Sequence, residues 1–92
     1  MTFKSEPSEE LQKTLKTLKR KDHALFIAPE KKMRQIASLD EIGIKHFKNL
    51  RHGMSHLKIV QIGSFVLVFR IKEGIIIFED FDHHDRIYKK RL

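Results

Sequence analysis

Close to its C-terminus the chain reads Asp82-His83-His84-Asp85-Arg86-Ile87-Tyr88, two imidazoles flanked by carboxylates and followed by a guanidinium and a phenol. Histidine, with an unperturbed pKa of ~6.5, gives and takes protons near neutrality. Carboxylates beside it can orient the ring, and an arginine can steady an anionic centre. These residue types suit general acid–base chemistry on a negatively charged substrate. If the segment is an extended strand, neighbouring side chains point to opposite faces, so His83 and His84 are expected on different sides of a sheet, with one of them structural. That alternation, with no helical i, i+4 pair of ligands, argues against a metal centre, and no metal and no cofactor are expected. The chain has no cysteine, which excludes disulfides and thiolate ligation and suits a reducing compartment.

Charge points to the kind of partner. Nineteen Lys and Arg against twelve Asp and Glu give a formal net charge of +7, a field that favours nucleic acid, the ribosome or an acidic protein. The distribution says more than the total. No acidic residue falls between Glu41 and Glu73, while Lys45, Lys48, Arg51, Lys58, Arg70 and Lys72 accumulate there with His46, His52 and His56. This stretch reads as a continuous positive surface. His52, in a loop, is placed to reach a substrate, and His56 falls where a structural histidine is the commoner outcome. His23 and His46 belong to no pattern. Arg86, Lys89, Lys90 and Arg91 read, each by itself, as a solvated tail.

The elements that must position these groups follow from patterning. Ninety-two residues, 40% hydrophobic and with seven Phe, make one domain over residues 1–92 with one modest core. No apolar run reaches membrane-spanning length and residues 1–7 lack a signal peptide's apolar segment, so a cytoplasmic chain without membrane association is expected. A short strand over residues 1 to about 4 precedes a helix capped by Ser5 or Ser8, with Pro7 in its first turn. Glu9 and Glu10 suit its positive end and Lys19-Arg20-Lys21 its negative end, with Leu11, Leu15 and Leu18 as the buried stripe. Asp22 caps a second helix to about Ser38, burying Phe26, Met33, Ile36 and Ala37, with Pro29 kinking it or marking its true start. Residues 39–54 read as loop.

Strands complete the chain. His56–Ile62 and Phe65–Ile71 flank Gly63-Ser64, whose leading glycine suits a type II′ turn, and Glu73-Gly74 leads into Ile75–Phe81. A two-residue turn sets Ile62 opposite Phe65 and Val60 opposite Leu67, on one face with Phe69 and Ile71. That face is assigned to the helices. Leu57, Ile59, Gln61, Val66, Val68 and Arg70 then line the opposite, open face. The expected class is α+β, a helical hairpin packed on one face of a small antiparallel β-meander in the order β-α-α-β-β-β.

This order resembles the RelE/ParE family of small toxins over nearly the whole chain. The resemblance is carried by Lys48-Asn49-Leu50-Arg51, by Ile62-Gly63-Ser64-Phe65-Val66-Leu67-Val68-Phe69, and by His83-His84-Asp85-Arg86-Ile87-Tyr88. The last is similar to the family's terminal His-Arg-x-x-Val-Tyr pattern, with His84 in the place of the Arg and Tyr88 in that of the Tyr. The resemblance implies a toxin of a type II toxin–antitoxin module that enters the ribosomal A site and cleaves mRNA. A cognate antitoxin would hold it inactive, and the complex would bind DNA through the antitoxin. Such cleavage, by attack of a 2′-hydroxyl on the adjacent phosphate, needs a base, an acid and cations but no metal. His84 and Tyr88 are the implied catalytic pair, with His83 as the second acid–base candidate and Arg86 on the phosphate. Lys48, Arg51, Lys58, Arg70 and Lys89 are the implied RNA-binding cations. The chain departs from the nuclease pattern at Ile59, Gln61 and Val66, where RelE-type nucleases carry basic groups on the open face. Two alternatives therefore stand beside the nuclease: a ParE-like toxin of DNA gyrase that uses the apolar open face, and a catalytically degenerate homologue that only binds an antitoxin.

Overall fold

The computed structural model describes residues 4–39, 43, 48–49 and 57–91. The described elements are β1 (Lys4–Pro7), α1 (Glu9–Lys21), α2 (His23–Ala37), β2 (Lys48–Asn49), β3 (Lys58–Ile62), β4 (Phe65–Lys72), β5 (Ile75–His83) and α3 (His84–Arg91). The expected α+β arrangement is present: the α1–α2 hairpin packs on the β3–β4–β5 meander. The sheet extends beyond the meander, in the order β1-β5-β4-β3-β2.

Capping side chains account for the helix ends. The Ser8 hydroxyl accepts the Leu11 N–H at 3.1 Å and donates to the Glu79 carbonyl at 2.7 Å, which ties the start of α1 to β5. Ser8, not Ser5, is thus the cap. Pro7 closes β1 instead of opening the helix. It is tolerated there because β1 is an outer strand and an absent N–H costs no ladder bond on the open side. Asp22 ends α1 and caps α2, accepting the Leu25 N–H at 3.2 Å. Helix α2 runs through Pro29, which is buried.

Leu11, Leu15 and Leu18 all face the main core, as their spacing predicts. In α2 Pro29 and Ile36 are buried, and Leu25 and Met33 pack half-buried against the same core. Phe26 departs from its predicted place: its ring stacks on His23 at 5.8 Å and under the Lys19 ammonium at 5.9 Å. These helices close over Leu67, Phe69, Ile76, Phe78 and Phe81, with Val60, Ile62 and Phe65 around them.

The predicted register holds at Ile62↔Phe65 and Val60↔Leu67. Gly63 has a φ of 61° and Ser64 is not left-handed, as a type II′ turn requires. Three features of the sheet were not anticipated. β1 lies at Lys4–Pro7 and pairs parallel to β5, so the sheet is mixed. Lys48–Asn49, within the stretch read as loop, pairs with Ile59 and Lys58. A bulge between Val68 and Phe69 leaves Glu79 without an opposite residue, because Val68 pairs with Asp80 and Phe69 with Phe78.

The second hairpin offers a test of backbone strain. Glu73 (φ 52°) and Gly74 (φ 78°) are both left-handed, the signature of a type I′ turn. Glutamate is unfavourable there, because its Cβ crowds the following carbonyl. Glu73→Asn is expected to raise unfolding stability by about 0.5–1 kcal/mol, read as a higher urea midpoint at unchanged slope.

Candidate active site at the C-terminal helix

The segment read as an extended tail is a helix, and this changes the site. Eight residues are too few to be helical alone in water, so α3 depends on its cap and its docking. His83 supplies the cap, its Nδ1 accepting the Asp85 N–H at 3.3 Å. Asp82 accepts the His83 N–H at 2.8 Å and lies 3.9 Å from Arg86 one turn on. Asp85 occupies the first turn, where a negative charge meets the positive end of the helix dipole.

Docking comes from the other face of the helix. His84, Ile87 and Tyr88 stand at i, i+3 and i+4 and so share one side. Ile87 is fully buried among Leu57, Val66 and Val68, with Ile59 and Tyr88 packed around it. The face expected to be open is thus covered at this end. Val66 and Val68 are apolar because they receive Ile87. Ile59 and Val66, two of the three positions where the nuclease pattern has basic groups, are here part of a second, smaller core, while Gln61 is exposed.

Helical geometry brings His84 and Tyr88 together. Four residues span roughly 6 Å along a helix, against roughly 13 Å along a strand. It also undoes the expected separation of the two histidines, whose ring centroids lie 4.6 Å apart. His83 is held edge-on to Phe65 at 5.8 Å. The His84 backbone N–H donates to the Ser64 carbonyl at 3.1 Å, and its Nδ1 lies 3.3 Å from the same oxygen. Its Nε2 lies 3.0 Å from Asp85 Oδ1. A neutral ring can make one of these contacts as a hydrogen bond, and the imidazolium makes both. The ring is half exposed, so a substrate can reach it. Arg86, at 76% exposure, extends from the same turn.

A cleft of about 440 Å³ adjoins this end of the sheet, lined by Lys13, Thr14, Thr17, Phe65, Asp82 and Arg86 among others. Lys13, Ser64 and Phe65 were not among the residues expected at the site; Ser64 and Phe65 were read only as turn and core residues. The helix was legible in principle, since Asp82-x-x-Asp85 before Ile87-Tyr88 and then Lys89-Lys90-Arg91 is a start, a stripe and a basic finish.

The structure gathers His83, His84 and Tyr88, with Lys89 exposed beside Tyr88, while Arg86, two residues from each of His84 and Tyr88, leaves the helix on the side of the cleft. Other expected contributors lie elsewhere. Arg70 pairs with Glu79 at 2.5 Å, five residues along β4 from the Phe65–His83 pair, roughly 16 Å at strand rise. Lys58 pairs in register with Phe69 and so belongs to the helix-covered face. Lys48 is described through its backbone pairing in β2. Arg51, His46, His52 and His56 lie outside the described residues. No described helix is long and apolar enough to cross a membrane.

Known proteins match along most of the chain. A protein of Methanocaldococcus jannaschii bearing the name of a RelE toxin, RelE4, is 45% identical over 84 residues, 88% of this chain and 85% of that protein. An uncharacterized protein of Methanosarcina mazei is 48% identical over 58 residues, 58% of this chain and 67% of that protein. No family profile matches the chain. The crystal structure of the RelBE2 toxin–antitoxin complex of Mycobacterium tuberculosis contains a chain that superposes with a TM-score of 0.71, covering 91% of this chain and 100% of that one. Their sequences are 15% identical, so this likeness is one of fold. With an identity of 45% to RelE4 sustained over most of both proteins, the chain belongs to the RelE family of toxins.

Proposed function

We propose that this toxin is an endoribonuclease of a type II toxin–antitoxin module that cleaves mRNA on the ribosome by metal-independent acid–base chemistry. The observation that carries the proposal is the pairing of His84 and Tyr88 on one face of α3, with His84 wedged between the Ser64 carbonyl and Asp85. In this reading His83, whose Nδ1 is an acceptor, takes the proton of the attacking 2′-hydroxyl, and the His84 imidazolium protonates the leaving 5′-oxygen while Asp85 and Ser64 hold its ring for that transfer. Tyr88 donates its phenolic proton or stacks on a base. Arg86, with Lys89 and Lys13 nearby on the surface, steadies the phosphate. Ile59 and Val66, which favoured a gyrase-directed surface, contribute instead to the seat of Ile87.

A cognate antitoxin is the expected partner, as in the mycobacterial complex, and it would carry DNA binding for the pair. The neighbouring reading frame should encode a small acidic protein. Primer extension on a translated mRNA tests the proposal: new 5′ ends are expected only when ribosomes are present. Intact mRNA during a growth block, with gyrase inhibited, would overturn it.

A further inference from the structure

Residues 84–91 are helical, so the alternation of an extended strand does not separate the potential ligands at this end of the chain. The turn from β5 into α3 places His83, His84 and Asp85 so that one ligand atom of each lies within 4.8 Å of the others. We propose that these three residues form a binding site for a first-row divalent transition cation of the zinc type. The proposal reaches the regulation of the same site: with the nuclease reading, on which this part rests, an occupied site is an inactive one.

Donor chemistry favours the assignment. Two imidazoles and one carboxylate, with a fourth position open to water, match the nitrogen and oxygen ligands that zinc takes. A histidine ligand ordinarily donates its other ring N–H to a carbonyl or carboxylate, which fixes the tautomer that leaves the ligating lone pair free. His84 is already arranged in this way. Its Nδ1 faces the Ser64 carbonyl at 3.3 Å and its Nε2 points at Asp85 Oδ1, 3.0 Å away. His83 Nδ1 lies 3.7 Å from the second Asp85 oxygen. Tetrahedral ligation at 2.0–2.1 Å separates ligand atoms by roughly 3.3 Å, so the set closes by small rotations of exposed or half-exposed side chains.

Two effects oppose binding. The positive end of α3 disfavours a cation, and ligation through His83 Nδ1 gives up its contact with the Asp85 N–H. The Asp85 charge within the site and Asp82 at the same turn offset the first, and the water-exposed helix end can resolvate that N–H. Occupation ties up the His84 Nε2 lone pair and Asp85 together. It therefore removes the proton-transfer group from use without altering the fold.

The test is titration of the untagged full chain with Zn²⁺ by calorimetry, and with Co²⁺ by visible absorption, in a non-coordinating buffer. One saturable site per chain is expected, with bands typical of four-coordinate Co²⁺. His84→Ala and His83→Ala should each weaken binding at least tenfold. Asp85→Asn, a surface change that leaves the fold intact, should weaken it severalfold, and His52→Ala with His56→Ala should leave it unchanged. No saturable binding below millimolar Zn²⁺, or binding indifferent to His84→Ala and Asp85→Asn, would overturn the site. Binding is read without reference to cleavage. Zinc that binds through these residues in a chain without nuclease activity leaves the site standing and sinks the nuclease reading. Cleavage unaffected by saturating zinc overturns the regulatory part alone.

Discussion

His84→Ala is expected to lower ribosome-dependent mRNA cleavage by about 10²–10⁴-fold, the usual contribution of a positioned acid–base group. The size follows from how the ring is held. Among the described residues, His84 is the imidazole whose two nitrogens both face oxygen acceptors, at 3.3 Å and 3.0 Å. It is half exposed, and its backbone bond to Ser64 survives the substitution. Stability should therefore change by no more than about 0.5 kcal/mol, and lost activity cannot be attributed to unfolding. Tyr88→Phe separates that residue's two roles. Phenylalanine stacks as tyrosine does but has no proton to give, so full activity in Tyr88→Phe assigns stacking and a large loss assigns proton donation. Undiminished primer-extension products from His84→Ala would remove His84 from the chemistry and leave His83 as the acid–base group to test.

The second large effect is expected far from any reacting atom. Ile87 is fully buried and is the principal anchor of α3 on the second face. Ile87→Ala removes three methyl or methylene groups from a packed site, a change that costs about 2–5 kcal/mol in a rigid core. Here the cost should appear locally. An eight-residue terminal helix opens at a lower free energy than the sheet beneath it, so α3 releases before the domain unfolds. Amide exchange should accelerate in residues 85–91, while the β4–β5 ladder keeps its protection. Cleavage should fall with the docked population, because His84 and Tyr88 lose their common platform. A variant that loses ladder protection along with the helix would show that α3 is integral to the global fold instead of docked upon it. Stability gained from Glu73→Asn, at the far hairpin, should then add independently.

Much of the scaffold was legible because local chemistry and global packing agree there. The Leu11, Leu15 and Leu18 stripe, the Asp22 cap and the Gly63-Ser64 turn are each specified by a few neighbouring residues, and each appears as its spacing predicts. Register followed from the turn, since a two-residue connection leaves one alignment that keeps Val60, Ile62, Phe65 and Leu67 on one side. Pro7 and Phe26 were misplaced for the complementary reason. Whether a proline ends a strand or opens a helix, and whether an aromatic faces the core or a neighbouring turn, depends on partners distant in the chain: β5 for the first, the end of α1 for the second.

By itself the sequence determined the residue types available at the C-terminal end, the alternation of apolar positions that builds the meander, and the order of elements shared with the RelE toxins. Tertiary structure alone decided what those residues can do together. Ile87 and Tyr88 are strand formers by propensity, and His84 and Tyr88 share a face in either conformation. A pocket of Leu57, Val66 and Val68 on the sheet selects the helix, because burying Ile87 there outweighs the weak preference of an eight-residue segment for either state. That one packing event shortens the His84–Tyr88 separation along the chain axis by about half and sets His83 beside His84. It also explains why Ile59 and Val66, at two of the positions where the chain departs from the nuclease pattern, are apolar.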